Sequence, residues 1–162
     1  MIVDSIMKLE NPSESDMDNY FKICTEISKK HSAFDTILTQ KCCVTLVFTI
    51  NGALIENLPW KAFENFGYFL GLLGREYGKT CYILESLLTR LSLKLATGLN
   101  NEGYLQYASL YLRAAKHFPQ VLEGNQLPVL DHIYLNMRVS CKEYQETCSK
   151  LFELFNKKLQ IQ

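Results

Sequence analysis

Apolar residues return every three or four positions through most of this chain, a pattern that predicts helices almost throughout. The most legible stretch lies near the C-terminus. Leu130, Met137, Tyr144 and Leu151 repeat at seven-residue intervals, and Tyr134, Cys141, Cys148 and Phe155 form a second series. Together they give the 4-3 spacing of an amphipathic helix over about four heptads, widened by Ile133 and Phe152 and opened by Pro128. Such a helix needs other helices against its stripe.

Upstream, a short helix over Ile2–Leu9 is followed by a break at Asn11-Pro12-Ser13. Ser13 or Ser15 caps the next helix, with Glu14, Asp16 and Asp18 in its first turn where the helix dipole favours acids. Met17, Tyr20, Phe21, Cys24 and Ile27 make its stripe, and Lys29-Lys30 close it. Ser32, with Asp35 three residues on, caps a segment carrying Phe34, Ile37 and Leu38. Pro59 suits the first position of a helix bearing Trp60, Phe63, Phe66, Leu70 and Leu73, which Gly78 ends. Leu84, Leu88, Leu91 and Leu95 stripe the next, flanked by Ile83 and Leu87, with Gly98 as its C-cap. A helix from Asn100 or Asn101 turns Leu105, Ala108, Leu112 and Ala115 inward and stops at Pro119.

One segment reads both ways. Val44 to Ile50 is β-branched and alternating, and Asn51-Gly52 behind it is a hairpin-turn signal. Yet Glu56 and Asn57 interrupt any returning strand, and no third strand exists to complete a sheet. The segment is therefore expected to be a buried helix. The fold class is then all-α, a short stack of antiparallel helical hairpins or a helical bundle, with six to seven helices. Residues 1–162 make a single domain, in which 1–12 either belong to the body or form a loosely attached N-terminal segment.

Composition narrows the function classes. Apolar residues are 48% and charged residues 21% of the 162, as expected of a globular domain. Seventeen basic and seventeen acidic residues cancel, which weighs against nonspecific duplex binding and fits a chain held in a complex. The start of the chain lacks the charge pattern of a signal peptide, and Cys42–Ile50 is far too short to span a bilayer. Cys42 and Cys43 are adjacent, and Cys141 and Cys148 lie about 10 Å apart along a helix. Neither pair can close a disulfide on itself. The six cysteines are read as reduced packing residues of an intracellular protein, cytoplasmic or nuclear.

Candidate chemistry is sparse. Gly74-Arg75-Glu76-Tyr77-Gly78-Lys79-Thr80 has three residues before its Gly-Lys-Thr where a phosphate-binding loop needs four, and no clear strand precedes it. Gly67, Gly71, Gly74 and Gly78 line one helix face, a groove for close approach of another helix. Tyr104, Tyr107 and Tyr111 form an aromatic stripe beside Arg113, Lys116 and His117; it is either a partner-binding surface or the second buried face of a central helix. His31, His117 and His132 fall in no metal-ligand spacing with a cysteine. No catalytic, metal or cofactor site is expected, and the chain is not read as an enzyme.

Phe63-Glu64-Asn65-Phe66-Gly67-Tyr68-Phe69-Leu70-Gly71-Leu72-Leu73, with the leucine-rich helix up to Leu91, resembles a helical hairpin of the middle domain of translation initiation factor 4G. It looks closer still to the related domain in deadenylase scaffolds. The likeness covers about thirty of the 162 residues. It implies a HEAT-like stack of antiparallel helix pairs that binds other proteins, DEAD-box helicases among them, and sometimes RNA. Arg75 and Lys79, in the turn, are the nearest candidates for partner contact. Trp60, Phe63, Phe66, Phe69 and Gly71 also resemble the central helix of Bcl-2-like proteins, although Lys61-Ala62 replaces the Gly-Arg pair that should follow the tryptophan.

The expectation is a non-catalytic adaptor or scaffold that binds another protein through a helical surface, in an RNA-handling or translation and decay complex. RNA contact would be indirect, and neither a membrane nor a small-molecule cofactor is expected. Partner-contact candidates are Tyr104, Tyr107, Tyr111, Arg113, Arg75 and Lys79. The competing readings are a Bcl-2-like regulator and a nucleotide-binding protein using the Gly78-Lys79-Thr80 turn.

Overall fold

The computed structural model describes residues 12–51, 60–77, 82–96 and 104–118, together with Glu146. All-helical architecture holds across them: α1 Glu14–Lys30, α2 Phe34–Ile50, α3 Trp60–Tyr77, α4 Tyr82–Ala96 and α5 Tyr104–His117. No strand occurs among the described residues. The expected Ile2–Leu9 helix, the Gly78 and Gly98 stops and the heptad stripe lie outside them, apart from Glu146, which is helical and exposed.

α1 begins as its sequence predicts. Ser13 Oγ accepts from the Asp16 backbone N–H at 3.1 Å, and Asp16 Oδ2 accepts from the Ser13 backbone N–H at 2.9 Å. This capping box satisfies two otherwise orphaned donors. The Ser32 cap is not observed. The N-cap of α2 falls one residue later, on Ala33, with no side-chain cap, because the tight His31–Ala33 turn already engages the chain: the Phe34 N–H donates to His31 O. The two segments expected between Ser32 and Ile50 are one continuous helix. Its core side buries Leu38, Cys42 and Leu46, so burial on one face outweighs the β-branched run and the Asn-Gly signal behind it.

Helix directions follow from side-chain pairs. Tyr68 meets Asp18, Phe21 packs edge-on against Phe69 with ring centroids 5.6 Å apart, and Tyr77 reaches Ser28, so α1 and α3 run the same way. A Cβ on Gly67 would meet the Leu110 backbone, one on Gly71 the Ala114 backbone and one on Gly74 the Phe118 ring, so α3 and α5 also run the same way. α4 runs against α5: Lys94 lies over the Tyr107 ring at 4.9 Å, and Ser92, earlier on α4, lies beside Tyr111, later on α5. α2 turns back from α1, and its last carbonyls, on Thr49 and Ile50, accept from Tyr107 Oη at 2.8 and 3.3 Å. The Lys94 ammonium also donates to Ile50 O.

The most intimate pairing, α3 with α5, joins parallel helices that are not consecutive. Short connections predict antiparallel neighbours, and α4 with α5 does pack in that way. For α3 the glycine face decides instead. Gly67 and Gly71 admit the α5 backbone to distances that any side chain would forbid, as the groove reading expects. Every residue from Ala62 to Gly74 is buried. The leucine stripe of α4 is likewise core at Leu84, Leu88, Leu91 and Leu95, whereas its flanking Ile83 stays 65% exposed.

Candidate functional site

Two places combine exposure with chemistry. The first is a polar junction where α1, α3 and α5 meet. α3 carries Glu64 and Asn65, both buried, on a helix that is otherwise aromatic, leucine and glycine through its middle. Lys61 Nζ lies 2.9 Å from Glu64 Oε2, one turn back on the same helix, and the Arg113 guanidinium of α5 lies 3.9 Å from Oε1. A buried carboxylate is tolerated only with such partners. Pro12, Met17, Asn65 and Tyr68 complete the walls of a cleft of about 240 Å³.

Next to it, Tyr68 Oη donates to Asp18 Oδ1 at 3.1 Å, and Lys116 Nζ pairs with Glu14 Oε1 at 2.7 Å. Burial, reinforced by the Asp18 carboxylate, pushes the Tyr68 hydroxyl far above its ordinary value. The hydrogen bond from Lys116 lowers Glu14. His117 packs against Tyr68 with ring centroids 4.3 Å apart and the planes tilted by 54°, and its Nε2 is buried with no hydrogen-bond partner. Burial, then Lys116 and Arg75, lower its pKa, with Glu14 and Asp18 opposing. The imidazole leans on the phenol ring, and the Tyr68 hydroxyl donates to Asp18 instead of to it, so the pair makes no proton relay. The junction is built to tie three helices together.

The second place is the outer face of α2. Ile37, Val44 and Phe48 are 54, 53 and 54% exposed, with Val47 beside them. The core face of the same helix is fully used, so α2 is apolar on both sides and covered on one. The expected buried helix is thus buried only along Leu38, Cys42, Cys43, Leu46, Thr49 and Ile50.

The partner-contact candidates scatter. Tyr107 and Tyr111 are 1 and 0% exposed, which corrects their reading as a surface. Tyr107 fastens the end of α2 to α5. Tyr111 lies in the core beside Ser92 without a well-formed hydrogen bond, and burial raises its hydroxyl pKa. Tyr107 and Tyr111 belong to a second buried face of α5, which packs against both α3 and α4. Arg113 belongs to the polar junction, and Arg75 is exposed on the last turn of α3. Tyr104 is helical but its side chain, like all of Lys79, lies outside the described residues.

Gly74 to Tyr77 is the last turn of α3, with Gly74 buried against Phe118. Sequence reasoning missed Glu64, since Lys61 and Glu64 at i, i+3 look like any solvated pair and Arg113 comes from a distant helix. It also missed the open face of α2, for which the alternation of Val44, Leu46 and Phe48 was a signal pointing to strand. Among the described residues no group of three or more histidine, cysteine, aspartate or glutamate side chains could hold a metal ion. No described helix is long and apolar enough to cross a membrane. Comparison with family models, curated proteins and solved structures finds no match for this chain.

Proposed function

We propose that this protein is a non-catalytic adaptor that binds another protein through a helical surface, within an RNA-handling or translation and decay complex. The observation that carries this reading is the open face of α2, where Ile37, Val44 and Phe48 lie more than half exposed on a helix already seated in the core. Exposed apolar side chains gathered on one face, as opposed to scattered singly, are the kind of surface that interaction sites use. The polar junction argues the same way by its partners, because its carboxylates and cations satisfy one another across α1, α3 and α5. Arg75, exposed at the end of α3, is a secondary contact.

The test is purification of the tagged full chain from its own cells, with and without RNase, beside a Val44→Glu/Phe48→Glu variant. A protein partner that survives RNase and is lost from the variant supports the adaptor. If the wild-type chain recovers no partner, the reading fails.

A second reading, a Bcl-2-like helical regulator, draws on one observation. α3, which carries the likeness to a central Bcl-2-like helix, is buried on every side from Ala62 to Gly74. Titration with a helical death-motif peptide tests it, and absence of binding removes it.

A further inference from the structure

α2 carries an open apolar line, and the sequence carries an apolar stripe that needs a neighbour. The line is Ile37, Lys41, Val44 and Phe48, at intervals of four, three and four residues. Its apolar members are 53 to 54% exposed, and it spans about three turns, or 16 Å. The stripe is the heptad series of 128–155, whose 4-3 spacing is that of helices that interlock side chains. Glu146, the described residue of that segment, is helical and exposed, as its heptad position opposite the stripe requires.

The topology brings line and stripe within reach. Tyr77 reaches Ser28, a Cβ on Gly74 would meet Phe118, and three residues join α1 to α2. The start of α2 and the ends of α1, α3 and α5 therefore share one end of the bundle, while the end of α2 meets the start of α5 at Tyr107. From the end of α5, the nine residues 119–127 can extend about 30 Å, some three helix-to-helix spacings. A helix opened by Pro128 at that end runs along α2 in the same direction. Leu130 is then level with Ile37, Tyr134 with Lys41, Met137 with Val44 and Cys141 with Phe48.

Charge selects this register. Among the positions that flank the stripe, Asp131 is the carboxylate and Arg138 the cation. A helical side chain leans toward its own N-terminus, so Lys41 faces Asp131 here, whereas a shift of one heptad would set it against Arg138. Tethering selects the occupant. Three turns of helix make a small contact of the transient class, weak for a molecule arriving from solution. A segment joined to α5 by a short connection instead stands at an effective concentration on the order of millimolar. Such a seat opens readily and adds little to the stability of the body.

We propose that residues 128–155 seat as a helix on Ile37, Val44 and Phe48, parallel to α2, and that a protein partner reaches this face only by displacing them. The second half rests on the adaptor reading and gives it a regulation; the first half stands without it.

The test places a photoreactive benzophenone amino acid at position 44 of the purified full chain, with a control probe at the exposed Leu93 of α4. Adducts are mapped by mass spectrometry, and circular dichroism checks that every variant keeps its helicity. Position 44 should give an adduct of monomer mass, independent of dilution, between Tyr134 and Cys141. Lys41→Glu should cut it about threefold, the reach of one exposed ion pair, and adding Asp131→Lys should restore it. Met137→Glu should abolish it and, in the chain's own cells, raise partner capture about threefold or more. If Met137→Glu loses helicity, Asp131→Lys, which leaves α2 untouched, takes its place as the releasing variant.

An adduct of dimer mass, an adduct elsewhere in the chain, or none above the control at position 93 overturns the seat. Partner capture unchanged by the releasing variant overturns the competition. A partner captured without the intramolecular adduct would refute the seat and leave the adaptor standing. The adduct with no partner in cells would refute the adaptor and leave the seat.

Discussion

α2 and α3 are both long, apolar helices, yet α3 is buried on every side through its middle while α2 is buried on one. The difference lies in what each sequence offers a neighbour. α3 presents a file of glycines, into which the α5 backbone settles, and large aromatics elsewhere around its circumference. α2 has no glycine, and its side chains on every face keep a neighbouring backbone farther away. Apolar composition alone does not report how many faces a helix covers. The size of the residues on each face does.

The comparison breaks most sharply at single side chains. Phe66, in the α3 core with no exposure, should cost about 3–5 kcal/mol when cut to alanine. Phe48→Ala, on the open face of α2, should stay within about 0.5 kcal/mol. Urea unfolding of the two variants reads the contrast, and equal losses would mean that the α2 face is covered after all. Gly67→Ala comes next. The new Cβ would stand 2.3 Å from Leu110 O, so overpacking should lower stability by about 1–3 kcal/mol although alanine is the better helix former by about 1 kcal/mol. A stabilised Gly67→Ala protein would show that α3 and α5 do not touch there.

Smaller effects sharpen the picture. Tyr107→Phe removes the hydroxyl that closes the end of α2 at Thr49 O and should cost about 1 kcal/mol, with hydrogen exchange rising in the last turn of α2. Acid should act through His117. The folded chain resists its protonation, so the unfolded chain takes the proton first and stability falls as pH drops below about 6.5. Above that pH the contribution is complete. His117→Gln should flatten the dependence of the melting temperature between about pH 5 and 7, and an unchanged slope would exonerate His117.

Much of the fold can be read from spacing. The Ser13–Asp16 capping box, the core positions Met17, Phe21 and Cys24, and the α4 leucines all follow from local period and cap chemistry. The glycine face of α3 announces a close neighbour without naming it, since only the fold brings α5 alongside. The tyrosine stripe of α5 stayed ambiguous because a helix packed on two sides and a helix with a sticky surface share one pattern. Neither Glu64 with Arg113 nor the openness of Ile37, Val44 and Phe48 has a local signature. Each depends on which helix lies opposite, and none of the other described helices covers Ile37, Val44 and Phe48.

The parallel union of α3 and α5 also has a temporal side. α3 is synthesised well before α5, with α4 in between, and its groove has no occupant until Leu110 and Ala114 have been made. During that interval its phenylalanines and leucines are exposed to solvent or to other nascent chains. Contacts so distant along the chain also form late, after the entropy of closing the intervening loop has been met. The same glycines that make the finished pair tight therefore leave a translating ribosome carrying an adhesive helix, and expression yield should depend on chaperones that shield it until α5 emerges.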